Sequence, residues 1–113
     1  TKAADVMANW LASGIVPDVV FANNDEMALG AIKALKNSGI SMNDVVVAGV
    51  DATPDAIVAI EAGDLDVTVF QDAAGQGRGG VDAAIAMLAG EKMDSYIDIP
   101  FIAVTPNNVA EFK

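Results

Sequence analysis

Short apolar runs alternate along this chain with longer stretches whose apolar residues recur every three or four positions. That alternation predicts strands and helices in turn. Val6, Trp10 and Leu11 stand at helical spacing within residues 2–13, which places Trp10 in the core, and Gly14 is a C-terminal stop. Strand 19–22 follows Pro17. Residues 25–37 set Met27, Leu29, Ala31, Ile32, Ala34 and Leu35 on a broad apolar helix face ended by Ser38-Gly39. Strand 45–50 comes next. Thr53-Pro54-Asp55 then reads as a helix start, with a hydroxyl cap, a proline at the first position and an acid in the first turn. That helix runs to about Ala62 and stops at Gly63. Strand 67–70 precedes a helix over 73–89 that packs Val81, Ala84, Ile85 and Leu88. Segment 96–104 reads as a last strand ending before Pro106, and residues 107–112 as one or two helical turns.

The order αβαβαβαβα predicts an α/β fold with a parallel sheet, because parallel neighbours need crossover connections. The strands are apolar on both faces, as cover by a helix layer on each side demands. No internal repeat or low-complexity tract interrupts this order.

In such a sheet, ligands bind just beyond the carboxyl ends of the strands. Three junctions there close on short hydrogen-bonding side chains: Val19 to Asp25, Val45 to Asp51 and Val67 to Asp72. They nominate Asn24, Asp51 and Gln71 as ligand-binding residues. Asn24 sits where a helix cap belongs, so capping alone and capping plus ligand contact both stay open. Thr53 is the better cap for the next helix, so Asp51 is not needed there and is expected to accept ligand hydroxyls. Gln71 can donate and accept at once, as a ring hydroxyl requires, or it can bond loop carbonyls. Two amides and a carboxylate suit a polyhydroxylated ligand and do not suit catalysis.

Composition narrows the chemistry. The chain of 113 residues has neither cysteine nor histidine, which removes thiol nucleophiles, disulfides, Cys/His zinc sites and the Ser-His-Asp arrangement. No metal site, catalytic residue or cofactor is expected. Sixteen acidic residues against six basic ones give a net charge of −10, which repels a phosphate backbone, so nucleic acid is not an expected partner. No apolar run is long enough to span a bilayer. Beginning at Thr1 without methionine or signal sequence, the chain is expected to be a piece of a longer protein. One rival motif is present: Gly75-Gln76-Gly77-Arg78-Gly79-Gly80 fits the dinucleotide fingerprint G-x-G-x-x-G. It falls several residues late after Phe70, and Asp72 would set a negative charge beside a pyrophosphate.

The segments Phe21-Ala22-Asn23-Asn24-Asp25-Glu26-Met27-Ala28-Leu29-Gly30-Ala31, Gly49-Val50-Asp51-Ala52-Thr53-Pro54-Asp55 and Thr68-Val69-Phe70-Gln71-Asp72 resemble periplasmic sugar-binding proteins of the ribose/galactose type. The tail from Phe101 to Phe112 resembles the end of those proteins as well. The resemblance implies a type I, LacI-like lobe that is incomplete here, in a two-lobed protein closing on a monosaccharide or cyclitol. It implies Asn24, Asp51 and Gln71 as the sugar contacts of the C-terminal lobe. Residues 1–71 would belong to that lobe, 72–103 to the N-terminal lobe, and 104–113 to a return segment. The implied partners are an ABC-transporter permease and, for some members, a chemoreceptor. The implied location is the periplasm, or the outer face of the membrane for a lipoprotein, without membrane insertion. The same fold serves as the effector domain of LacI-type repressors, although Asp51-Ala52-Thr53-Pro54-Asp55 is the transport-type form. A chain of this length would hold about a third of a binding site and is expected to bind sugar weakly or not at all alone.

Overall fold

The computed structural model describes residues 2–113. Four helices and four strands alternate: α1 (Lys2–Ala12), β1 (Val19–Phe21), α2 (Asp25–Asn37), β2 (Val46–Ala48), α3 (Pro54–Glu61), β3 (Thr68–Gln71), α4 (Ala73–Leu88) and β4 (Phe101–Val104). Two 3-10 turns, Met42–Asp44 and Val109–Phe112, complete the order. The first is capped by Ser41, whose hydroxyl accepts from the Asn43 N–H at 3.2 Å. The expected strand 96–104 forms only from Phe101 onward, immediately after Pro100, which has no N–H to give a ladder.

Strand β1 pairs in parallel with β2, Val20 opposite Val47, as the β/α succession requires. Two hydrogen bonds extend the pairing to the next strand: Gly49 N–H to Val67 O at 2.9 Å and Asp51 N–H to Val69 O at 2.8 Å. A parallel bridge between Ala48 and Val67 lies beside them, and β3 neighbours β4.

The chain divides into two compact units. The larger comprises the residues up to Phe70 and Ala103–Lys113. Its core joins Met7 of α1 to Ala28, Ala31, Ile32 and Leu35 of α2, to Ala56, Ile57 and Ile60 of α3, and to Val47, Leu65 and Val104. The spacing 28, 31, 32, 35 is one helical stripe, and its alanines let α2 approach the strands closely. Met27 falls outside that stripe and is exposed, unlike the sequence expectation. Trp10 is also a correction: it is 49% exposed, because Met7 takes the inward position of α1 with Leu11 packed against the core. The tail is anchored by Val109, by a tilted ring contact between Phe70 and Phe112 with centroids 5.4 Å apart, and by Asn108. The Asn108 Oδ1 accepts from the Thr105 N–H at 2.8 Å while its Nδ2 donates to Ala103 O at 3.0 Å.

Side chains alternate across a strand, so Val20 and Val47 face the helices while Val19, Phe21 and Val46 face the other way. On that second side Phe21 is 75% exposed and Val19 60%. A parallel sheet ordinarily carries cover on both faces; among the described residues of this unit, the helix layer lies on one.

The smaller unit, Gln71–Ile102, contains α4 and an irregular stretch. Val81, Ile85 and Leu88, expected to pack, are exposed, since one helix and a short extended segment offer too little surface to cover an apolar face. Gly75 is buried at the start of α4, and further along the Ile99 Cδ1 lies 3.4 Å from where a Cβ on Gly79 would stand.

Candidate functional site

The expected ligand residues lie at strand ends. After β1, Asn24 adopts extended backbone (φ −152°) and caps α2, its Oδ1 accepting from the Met27 N–H at 2.9 Å. A cap needs an acceptor, so the oxygen is committed and the amide NH2 is the part of the side chain left for other use. No hydrogen bond from it is made among the described residues. Asn24 therefore caps the helix through its oxygen, and its amide nitrogen is not used in that cap.

Past β2 the backbone does something the sequence does not announce. Asp51 (φ 114°) and Ala52 (φ 51°) are consecutive non-glycine residues with positive φ. Each such residue costs on the order of 1–3 kcal/mol and persists only when its surroundings hold it. The holding groups are two side chains fully shielded from solvent, Asp25 and Thr68. The Asp25 Oδ2 accepts from the Thr53 N–H at 2.8 Å, and its Oδ1 accepts from the Thr68 hydroxyl at 2.6 Å. The same Thr68 oxygen accepts from the Ala52 N–H at 3.2 Å. Asp25's own N–H donates to Val50 O at 2.8 Å, tying the start of α2 to the end of β2. These bonds bring the tips carrying Asn24 and Asp51 together. Thr53 caps α3 as expected, accepting from the Ala56 N–H at 3.3 Å, and the exposed Asp51 has no part in that cap. Gln71, half-buried, closes β3 and is the first residue of the smaller unit.

Sequence reasoning missed Asp25 and Thr68. An acid in a first helical turn reads as a helix-dipole partner. The available signal was Thr68, a hydroxyl inside an apolar strand, which must find a partner when buried.

Gly49 completes the arrangement. A Cβ there would collide with Asp25 Oδ1 and approach Ala28 Cβ to 3.3 Å. The carboxylate is pinned by two hydrogen bonds and cannot step aside cheaply. Gly49→Ala is therefore expected to lower stability by about 1–3 kcal/mol in urea unfolding. An unchanged midpoint would mean that the carboxylate has room to move.

The glycine-rich motif is not a phosphate loop. Gly75 through Gly80 lie inside α4, whose start is capped by Asp72, Oδ1 accepting from the Gly75 N–H at 2.8 Å. A dinucleotide fingerprint needs those glycines at the strand-to-helix turn; here the turn is Asp72 alone, and a Cβ on Gly75 would collide with its carboxylate. The dinucleotide alternative is thereby corrected. Among the described residues no cluster of acids could hold a metal ion, and no helix is long and apolar enough to cross a membrane. A surface groove lined by α1, α2 and Ser38, including Ala4, Ala8, Gly30 and Lys33, includes neither Asn24 nor Asp51.

Comparison with known proteins identifies a family. Residues 1–92 match the periplasmic binding protein domain family. A Rhizobium meliloti protein named for rhizopine binding is 58% identical over 113 residues, covering 100% of this chain and 37% of its own. The ribose import binding protein RbsB of Escherichia coli is 44% identical over 94 residues, 83% of this chain and 31% of its own. An ABC transporter solute binding protein of Bacillus halodurans, solved with bound myo-inositol, superposes with a TM-score of 0.83 at 53% identity, covering 97% of this chain and 38% of that one. The Caulobacter myo-inositol binding protein, also bound to myo-inositol, gives 0.83 at 33% identity over 96% and 38%. The chain thus spans about a third of the length of the curated relatives it matches.

Proposed function

Because this chain belongs to the periplasmic binding protein domain family, we propose that it is the ligand-contacting part of a solute-binding protein serving an ABC importer for a cyclitol or monosaccharide. The observation that carries this reading is the pair of strand tips stitched together by Asp25: Asn24 presents two N–H donors, and the strained turn beside it presents the Asp51 carboxylate. Amide donors and a carboxylate acceptor at neighbouring strand ends match vicinal ring hydroxyls, each of which gives one hydrogen and accepts another. Gln71 is the third contact. A cyclitol is favoured over an aldose, since two of the structural relatives hold myo-inositol, one of them at 53% identity.

In the whole protein, residues 1–71 belong to one lobe, 72–103 to the other, and 104–113 return to the first. Contacts from both lobes exist only in the closed state, so ligand shifts the population towards it. The permease, and for some members a chemoreceptor, reads that closed shape in the periplasm. No bond is made or broken: the relatives named above are binding proteins, and the two amides and one carboxylate proposed here lack a nucleophile paired with a base.

A thermal-shift screen of the whole protein with myo-inositol, ribose, galactose and NAD tests this. Ligand at 100 times its dissociation constant stabilises by about 2.7 kcal/mol, a clear rise in Tm. A rise with myo-inositol or one sugar supports the reading, and silence from all three contradicts it. Asp51→Ala is expected to weaken the responding ligand by about 1.5–3 kcal/mol, or roughly 10- to 100-fold, without unfolding the protein. Unaltered affinity in calorimetry would remove Asp51 from the site.

A further inference from the structure

We infer that Asp25, which need not touch ligand itself, is the positioning residue that aims Asp51. The inference rests on the solute-binding reading above and deepens it. Neither position 51 nor position 52 is a glycine, so the left-handed turn has no intrinsic ease and must be held from outside. Among the hydrogen bonds that hold it are Asp25 N–H to Val50 O, Asp51 N–H to Val69 O, Ala52 N–H to Thr68 Oγ1, and Thr53 N–H to Asp25 Oδ2. Asp25 makes two of them directly, one through its backbone N–H, which a substitution at 25 keeps, and one through its carboxylate. It governs a third, because taking the Thr68 proton on Oδ1 turns a lone pair of that hydroxyl towards Ala52. The bond from the Asp51 N–H to Val69 O is strand pairing. The carboxylate thus converts a buried acid, spent on no ligand, into the conformation of the residue that meets one.

Asp25→Asn is the discriminating change. It keeps the volume and one oxygen for Thr68 but turns an NH2 towards the Thr53 N–H, donor against donor. With myo-inositol as probe, the whole protein is compared as wild type, Asp25→Asn, Asp51→Ala and the double variant. If Asp25 acts through Asp51, the single change weakens binding 5- to 50-fold, and the same change in the Asp51→Ala background weakens it less than twofold. Equal losses in both backgrounds would make Asp25 a general staple and overturn the inference. Hydrogen exchange supplies a ligand-independent arm. Amides 52 and 53 are expected to lose protection in Asp25→Asn while the α2 amides keep theirs; unchanged protection at 52 and 53 overturns the inference as well. Should Asp25→Asn not fold, Thr68→Val replaces it in the same cycle with the same coupling expected. Wild-type affinity in Asp51→Ala would instead overturn the site reading, and with it the ligand half of this inference.

Discussion

Asp25→Ala is expected to lower the stability of the protein by about 2–5 kcal/mol, measured as the shift in urea unfolding followed by circular dichroism. The substitution removes the acceptor for two buried donors, the Thr53 N–H and the Thr68 hydroxyl. Stranding a buried donor costs about 1–3 kcal/mol each. The space vacated beside Gly49 and Ala28 adds a packing loss. Against this, the released turn at Asp51 and Ala52 can relax out of its left-handed conformation and recover part of its strain. Hence the sum stays below the simple total. An acid that merely favours a helix N-terminus contributes about 0.3–1 kcal/mol. A measured loss under 1 kcal/mol would return Asp25 to that modest role and break the link between α2 and the turn at Asp51 and Ala52.

Leu35→Ala is expected to cost a similar amount, about 2–5 kcal/mol, by a different physical route. Leu35 is wholly buried at the end of the stripe that runs through Ala28, Ala31 and Ile32. Its neighbours there are largely alanines and β-branched residues on short elements, which collapse poorly around a void. The loss appears in the unfolding midpoint, with the affinity of the folded fraction unchanged because Leu35 is far along α2 from Asn24. A variant with wild-type stability would show that the core is looser than the burial of Leu35 indicates.

What could be read in the sequence was whatever local chemistry decides. Thr53-Pro54 fixes the start of α3 because a hydroxyl cap and a preset φ act within four residues, and the structure has both. The α2 boundaries followed for the same reason from Asn24 and Ser38-Gly39. Trp10, Met27 and Val81 were misplaced because periodicity gives a face without saying whether anything covers it; only tertiary partners decide that. The glycine-rich run matched a nucleotide pattern, but its late position after Phe70 and the charge of Asp72 already spoke against that role, and the structure sets it inside α4. At the site, Asn24 and Asp51 were legible as strand-tip polar residues. Asp25 was not, since its meaning lies in Thr68, which is 43 positions away in the chain and one hydrogen bond away in space.

The uncovered side of β1 and β2 has a practical meaning for anyone handling these residues by themselves. Val19, Phe21 and Val46 form a flat hydrocarbon strip, and among the described residues β1 has a neighbouring strand on one edge alone. Open strand edges beside apolar strips are templates on which further chains add. Poor solubility of the isolated polypeptide would then report its surface and not a misfolded interior. The places to cure it are Val19, Phe21 and Val46, whose exchange for threonine or lysine leaves the buried cluster untouched.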